Sequence, residues 1–259
     1  MIEIRGLSHR FGGEVFAVQN IDISIAAGEF VSIVGPSGCG KTTVLNIVAG
    51  LLPTEQGEVA INGTPPRAGR HDVAYMLARD SLFPWCTALT NTEFGAEIRA
   101  EPAESRRRKA LALLEAVGLK GFEDKLPKAL SHGMRQRVAL ARTFCLDSQI
   151  LLMDEPFGAL DAQTKLQLED VLLQLWASMR RTVIFITHDL AEAVVLSDRV
   201  LVMSARPGRV VADISIPLKR PRSVSDLQRD PRYHELYAEV WEKLEQGMTG
   251  MNTRSISLA

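Results

Sequence analysis

The chain has 259 residues, 46% of them hydrophobic and 24% charged, with a formal net charge of -1. That is enough length for one large domain with a sizeable core, in the composition of a soluble globular protein. It excludes a strong electrostatic pull toward nucleic acid, and no apolar run approaches the roughly 20 residues that span a bilayer. If the protein works at a membrane, another chain provides the span. The basic run Arg106-Arg-Arg-Lys109 could touch a phosphate backbone, but it reads first as a solvated helix face. Cys39, Cys86 and Cys145 show neither paired nor metal-ligand spacing and read as reduced cytosolic thiols. The N-terminus, Met1-Ile-Glu-Ile-Arg5, lacks the layout of a signal peptide.

In chain order, residues 2 to 32 read as short alternating strands carried by Ile2 and Ile4, then Val18, Ile21, Ile23 and Ile25. Gly12-Gly13 and Ala27-Gly28 punctuate them. Phe30-Val-Ser-Ile-Val34 is continuously apolar, as a buried parallel strand is, and it runs into a glycine-rich loop. Thr42 to Leu51 then carries Val44, Leu45, Ile47 and Val48 at helical spacing. From about Glu101 to Asp147 the pattern is mainly helical, with Leu111, Leu114 and Val117 in step. Apolar strands return at Ile150–Met153, Val183–Ile186 and Val200–Met203. An amphipathic helix with Leu168, Val171, Leu172, Leu175 and Trp176 on one face separates the first two. Strands alternating with helices predict an α/β fold with a parallel sheet. After about Pro207 come short strands, a Pro-rich linker and a helix around Tyr233 to Leu244.

Three motifs carry chemistry. Gly35-x-x-x-x-Gly40-Lys41-Thr42 fits the phosphate-loop pattern at every fixed position, with a strand before it and a helix after it. Glycines let successive backbone N–H groups turn inward onto phosphate oxygens, and the helix N-terminus adds its positive end. The candidate nucleotide-binding stretch is therefore Gly35, Pro36, Ser37, Gly38, Cys39, Gly40, Lys41, Thr42 and Thr43. Lys41 brings a point charge to the outer phosphates of ATP, and the Thr42 hydroxyl is placed to ligate Mg²⁺. Within the loop, Cys39 reads as a small filler rather than a nucleophile. The second motif is Ile150-Leu-Leu-Met-Asp154-Glu155, a buried strand ending in carboxylates. Asp154 is the candidate Mg²⁺ ligand and Glu155 the candidate general base toward the attacking water. Alone, such a run carries little, but it lies about 110 residues downstream of a phosphate loop. The third motif is Leu130-Ser131-His132-Gly133-Met-Arg-Gln136-Arg137, in which Ser131 is a good helix cap.

These last residues resemble the ABC-transporter ATPase family, whose signature is Leu-Ser-Gly-Gly-Gln. Gly158-Ala-Leu-Asp161 resembles that family's D-loop. Thr187-His188-Asp189 looks like its switch histidine, and Phe11 looks like the aromatic that stacks on adenine. Together the matches span about residues 3 to 205. The resemblance implies a P-loop NTPase core with a parallel sheet, an N-terminal antiparallel β subdomain and a helical subdomain at about 80–147. The ATPase domain would occupy residues 1–230 and a C-terminal helical tail residues 231–259. It also implies a head-to-tail homodimer in which each ATP lies between the phosphate loop of one copy and Ser131 and Gly133 of the other. Asp161 would lie at that junction, and His188 would contact the γ-phosphate in cis.

Two positions depart from the family. Counting back from Trp85, the loop position normally held by a Gln near Mg²⁺ and the lytic water is Ala78. Water, Arg79 or Asp80 would have to fill that role, or hydrolysis would be slow. His132 replaces a Gly of the signature; it either points to solvent or helps neutralise ATP across the dimer.

The separate subunit, the Phe83-Pro84-Trp85 stretch, the signature ending Met134-Arg-Gln-Arg137 and the segment Ala205-Arg-Pro-Gly208-Arg-Val resemble bacterial importers of the nitrate, sulfonate and taurine group. The expectation is an ATPase that powers import of a small anion or related small molecule. Its partners would be two membrane permease subunits and, indirectly, an external substrate-binding protein, with no nucleic acid. It would sit in the cytoplasm, peripheral on the inner face of the cell membrane. The alternative is a non-transport or regulatory ATPase of the same fold with weak hydrolysis, which Ala78 keeps open.

Overall fold

The computed structural model describes residues 1–13 and 15–249. In chain order the strands and helices begin with β1 (Ile2–Arg10), β2 (Phe16–Ile25), β3 (Phe30–Val34), α1 (Lys41–Val48), β4 (Gln56–Ile61) and β5 (Val73–Met76). Next come α2 (Ala88–Ile98), α3 (Ala103–Ala116), α4 (His132–Cys145), β6 (Ile150–Asp154) and α5 (Ala162–Met179). The chain continues with β7 (Thr182–Ile186), α6 (Leu190–Leu196), β8 (Arg199–Met203), β9 (Val210–Ser215), α7 (Val224–Leu227) and α8 (Pro231–Thr249). Two compact units emerge: Met1–Arg70 with the described residues from Thr182 on, and His71–Arg181.

The first unit contains two sheets. In one, β3 lies between β7 and β8 in parallel, with Ile33 opposite Ile186 and Leu201, and β9 joins β8 antiparallel. Every residue of β3 and β7 is buried, which is why these strands read as unbroken apolar runs rather than alternating ones. The other sheet is antiparallel in the order β2-β1-β4, with Ile2 opposite both Ile25 and Ile61. The C-terminal helix is longer than its sequence pattern predicts. It starts at Pro231, a residue suited to the first helical turn, and turns Tyr233, Leu236, Val240 and Leu244 inward.

In the second unit, β5 and β6 pair in parallel, with Val73 opposite Ile150 and Met76 opposite Met153. Helices α2, α3 and α4 pack on one another. α5 buries Leu168, Leu172, Leu175 and Trp176 as expected, together with Glu169 and Leu173, while Val171 is half-buried. The helix stops at Arg180, in the left-handed region at φ 47°, whose N–H donates to the Trp176 carbonyl. The basic run is only half solvated. Arg107 and Arg108 are exposed, but Lys109 bridges Glu101 at 2.9 Å and also Asp147, and Arg106 pairs with Glu97 at 3.6 Å. Among the described residues no helix is long and apolar enough to cross a membrane.

Candidate functional site

The phosphate loop leaves β3 at Val34 and enters α1 at Lys41. Gly40, the cap residue of α1, has φ +99°, and a Cβ there would lie 2.4 Å from Val18 Cγ1, so only glycine fits. It makes no side-chain cap bond, and the helix N-terminus that it opens is the end that favours anions. Lys41 is buried at 5% exposure, and its Nζ donates to the carbonyls of Gly35 at 2.9 Å and Pro36 at 3.1 Å. These bonds hold the ammonium against the inner side of the loop. Thr42 is exposed on the first turn of α1, whereas Thr43 points into the core. Ser37 and Gly38 are exposed at the tip and Pro36 is half-buried. Cys39 is almost fully buried, and burial pushes its thiol above the ordinary range despite the opposing charge of Lys41. A protonated buried thiol packs; it does not attack.

Strand register brings His188 to the same sheet edge. Ile186 pairs with Ile33, and the Thr187 N–H donates to the Ile33 carbonyl at 3.3 Å, so His188 emerges where β3 delivers Gly35. Its neighbours are fixed on both sides. The Thr187 hydroxyl donates to Glu192 and accepts the Asp189 N–H, and Asp189 caps α6 by accepting from Ala191 N–H at 2.8 Å. His188 itself is exposed between them. Phe11 follows β1 and is 52% exposed, with its ring edge-on to the buried His9 at 4.7 Å. An aromatic face held at one edge and open on the other suits a flat base.

The remaining candidates belong to the second unit. Asp154 ends β6 and is 9% exposed. On the adjacent strand the phenol of Tyr75 is pushed far above its ordinary range, first by burial and then by the Asp154 charge. Glu155 follows at φ +45°, in the left-handed region, and is half-buried. Ser131 caps α4 by accepting the Met134 N–H at 3.2 Å, and Asp161 caps α5 by accepting the Thr164 N–H at 3.0 Å. The bonds from Thr164 hold the Asp161 carboxyl below the usual carboxylate range. The two caps come close together: a Cβ at Gly133 would lie 2.6 Å from Thr164 Cγ2. His132 is exposed on the first turn of α4.

The Met76–Met153 register places Ala78 just past the end of β5, at the edge where Asp154 and Glu155 leave β6. Ala78 is exposed. Of the side chains considered as its substitute, Asp80 is already engaged: its carboxylate pairs with Arg135 Nε at 2.8 Å. Arg142 adds bonds to the carbonyls of Asp80 at 2.7 Å and Ser81 at 2.9 Å.

Two residues have structural roles that the motifs did not assign. Gln136, quoted in the signature run and buried in α4, donates to the Pro156 carbonyl beside Glu155. Asn91, fully buried in α2, accepts from Phe83 N–H and donates to the carbonyls of Phe83, Cys86 and Thr87, folding the turn that holds Trp85 out at 75% exposure. Neither role leaves a spacing signal in the sequence.

The model of the family described as ABC transporter matches residues 18–158. An uncharacterized ABC transporter ATP-binding protein of Methanocaldococcus jannaschii is 45% identical over 217 residues, covering 84% of this chain and 81% of the relative. The taurine import ATP-binding protein TauB of Roseobacter denitrificans is 39% identical over 263 residues, covering 96% of this chain and 97% of TauB. Among solved structures, an ATP-binding cassette captured as a dimer in a post-hydrolysis state with ADP and Pi superposes with a TM-score of 0.73 at 31% identity. It covers 85% of this chain and all of that one. With a phosphate loop on β3, acidic residues at the end of β6 and these relatives along nearly its whole length, the chain belongs to the ABC transporter family, as an ATP-binding subunit that hydrolyses ATP.

Proposed function

We propose that this ATPase powers import of a small anion of the nitrate, sulfonate or taurine kind through a separate membrane permease. The observation that carries the reading is Trp85. A buried asparagine fixes its turn, the ring stands 75% exposed, and the turn follows directly on the Ala78 loop. A large exposed aromatic on a rigid turn is a docking feature rather than a core residue. The likeness to TauB supports the cargo class. Residues 80–147 would form the helical subdomain that meets two permease subunits on the inner face of the membrane, fed by an external binding protein. The ATPase domain would occupy residues 1–230 and be followed by the C-terminal helical tail at 231–259, of which 250–259 lie outside the described residues.

In this reading Phe11 stacks on the adenine and the Gly35–Thr43 backbone cradles the phosphates. Lys41 neutralises the outer ones. Thr42 would offer a hydroxyl oxygen and Asp154 a carboxylate oxygen, donors of the kind that a hard divalent cation takes, and Mg²⁺ would offset charge on the phosphates. Glu155 accepts a proton from the attacking water, and His188 holds the γ-phosphate geometry. Ser131 and Gly133 of a second copy close the site, with Asp161 at the junction. The test is reconstitution of the chain in vesicles with a membrane permease that co-purifies with it and that permease's external binding protein. ATP hydrolysis stimulated by taurine, an alkanesulfonate or nitrate is expected. Stimulation by none of the three overturns the cargo, and no association with the permease overturns the transport role.

A further inference from the structure

Between β8 and β9, residues 204–209 form a turn within the first unit that reaches both β2 and the phosphate loop. Gly208 is buried against that loop: a Cβ at its position would lie 1.9 Å from the Cys39 carbonyl oxygen and 3.1 Å from its carbonyl carbon. The Gly208 backbone is bonded into β2 on both sides. Its N–H donates to the Ala17 carbonyl at 3.0 Å, and its carbonyl accepts the Gln19 N–H at 2.9 Å. Between those two residues lies Val18, the same side chain that presses on Gly40. The phosphate loop is thus bounded at Cys39 by Gly208 and at Gly40 by the strand segment that Gly208 grips. Ser204 shapes the turn from inside. Its Oγ accepts the Arg209 N–H at 3.1 Å and lies 3.0 Å from the Ala205 carbonyl. Helix α8 backs the turn from outside, where the Gly247 carbonyl accepts the Ala205 N–H at 3.4 Å.

The consequence follows from peptide planarity. The Cys39 carbonyl and the Gly40 N–H belong to one trans peptide unit and point in opposite directions. Backbone packed against the carbonyl on the outer side therefore fixes the direction of the N–H on the inner side, where phosphate oxygens are bound. We infer that Gly208 is a positioning residue for the nucleotide: its backbone, bonded into β2, clamps the Cys39–Gly40 peptide so that the Gly40 N–H stays aimed at the phosphates. A side chain at 208 would have to displace either the turn from β2 or the peptide from its plane, because the obstructing atoms are backbone. The inference rests on Gly35–Thr43 being the phosphate site.

The test measures ATP and AMP affinity of the full chain, with thermal melting alongside, for wild type, Lys41→Ala, Gly208→Ala and Ser204→Ala. AMP shares the base and ribose but lacks the two outer phosphates. If Lys41→Ala binds ATP as wild type does, the phosphate-loop reading itself fails, independently of the clamp. With that control in place, Gly208→Ala should weaken ATP about tenfold or more and AMP by less than about twofold, and Ser204→Ala should weaken ATP about threefold in the same selective way. An unchanged ratio of ATP to AMP affinity in both variants overturns the inference, whether both affinities hold or both fall together. Should Gly208→Ala fail to fold, the ratio in Ser204→Ala, a change of one oxygen atom, decides alone.

Discussion

Glu155 occupies a backbone conformation, φ +45°, that costs an ordinary L residue about 1–3 kcal/mol and persists only when its surroundings enforce it. Here Gln136 grips the next carbonyl, and Gly158 N–H bonds back to Glu155 at 3.2 Å. In the proposed mechanism Asp154 and Glu155, adjacent in sequence, serve different ends across this turn. Glu155→Gln keeps size and hydrogen bonding but removes the proposed base. It should therefore cut ATP turnover about 100-fold or more while leaving equilibrium ATP binding within about twofold, read from steady-state kinetics and a binding titration. Ala78 gives the complementary prediction. It sits at the same edge, it has no side chain to orient water, and Asp80 is committed to Arg135. Ala78→Gln should raise turnover by roughly threefold to tenfold at saturating ATP. Unchanged turnover in that variant would show that another group already orients the water.

Several elements are anchored by one polar side chain that satisfies backbone carbonyls, and these anchors were the least legible part of the sequence. Arg222 is the clearest case. It is 8% exposed, and its guanidinium donates to the carbonyls of Val195 and Ser197 at the end of α6 and to those of Ile216 and Leu218 after β9. Burial, aided by the neighbouring Arg220, lowers its pKa to about 10, yet the carbonyls around it still require a donor. Arg222→Met fills similar volume but orphans those carbonyls. It should cost about 2–4 kcal/mol, seen as a lower urea midpoint at unchanged slope. Nothing in the spacing of residues marks Arg222 or Asn91, because a single side chain that caps carbonyls has no period. By contrast β3, β6 and β7 were legible, since burial on both faces produces unbroken apolar runs. β4 was not, since its first three residues are exposed, and β5 was too short to show a pattern. The phosphate loop was legible because Gly35, Gly40, Lys41 and Thr42 fall within one short stretch and are chemically constrained. Its contact with Gly208 was not, because a fit between two backbones far apart in the chain leaves no local mark.

Across the whole chain, the candidate residues divide by unit. Phe11, Gly35–Thr43 and His188 lie in the first, and Ser131, Gly133, Asp154, Glu155 and Asp161 in the second. If ATP is closed in by the signature of another copy, a two-fold dimer makes two equivalent sites, each needing one loop and one opposing signature. That arrangement can be tested by complementation. Lys41→Ala removes the loop charge from one preparation, and Ser131→Arg blocks the signature in another, so each homodimer should be inactive. A mixed dimer, however, carries one site built from the intact loop of the Ser131→Arg copy and the intact signature of the Lys41→Ala copy. Random pairing makes half the dimers mixed, each with one of two sites intact, so mixing the two inactive proteins should restore up to about a quarter of wild-type turnover. The recovery should rise and then saturate with total protein, as a mass-action association must. Sites completed within a single chain predict the opposite result: no recovery at any mixing ratio, with the Ser131→Arg protein inactive regardless of what is added to it.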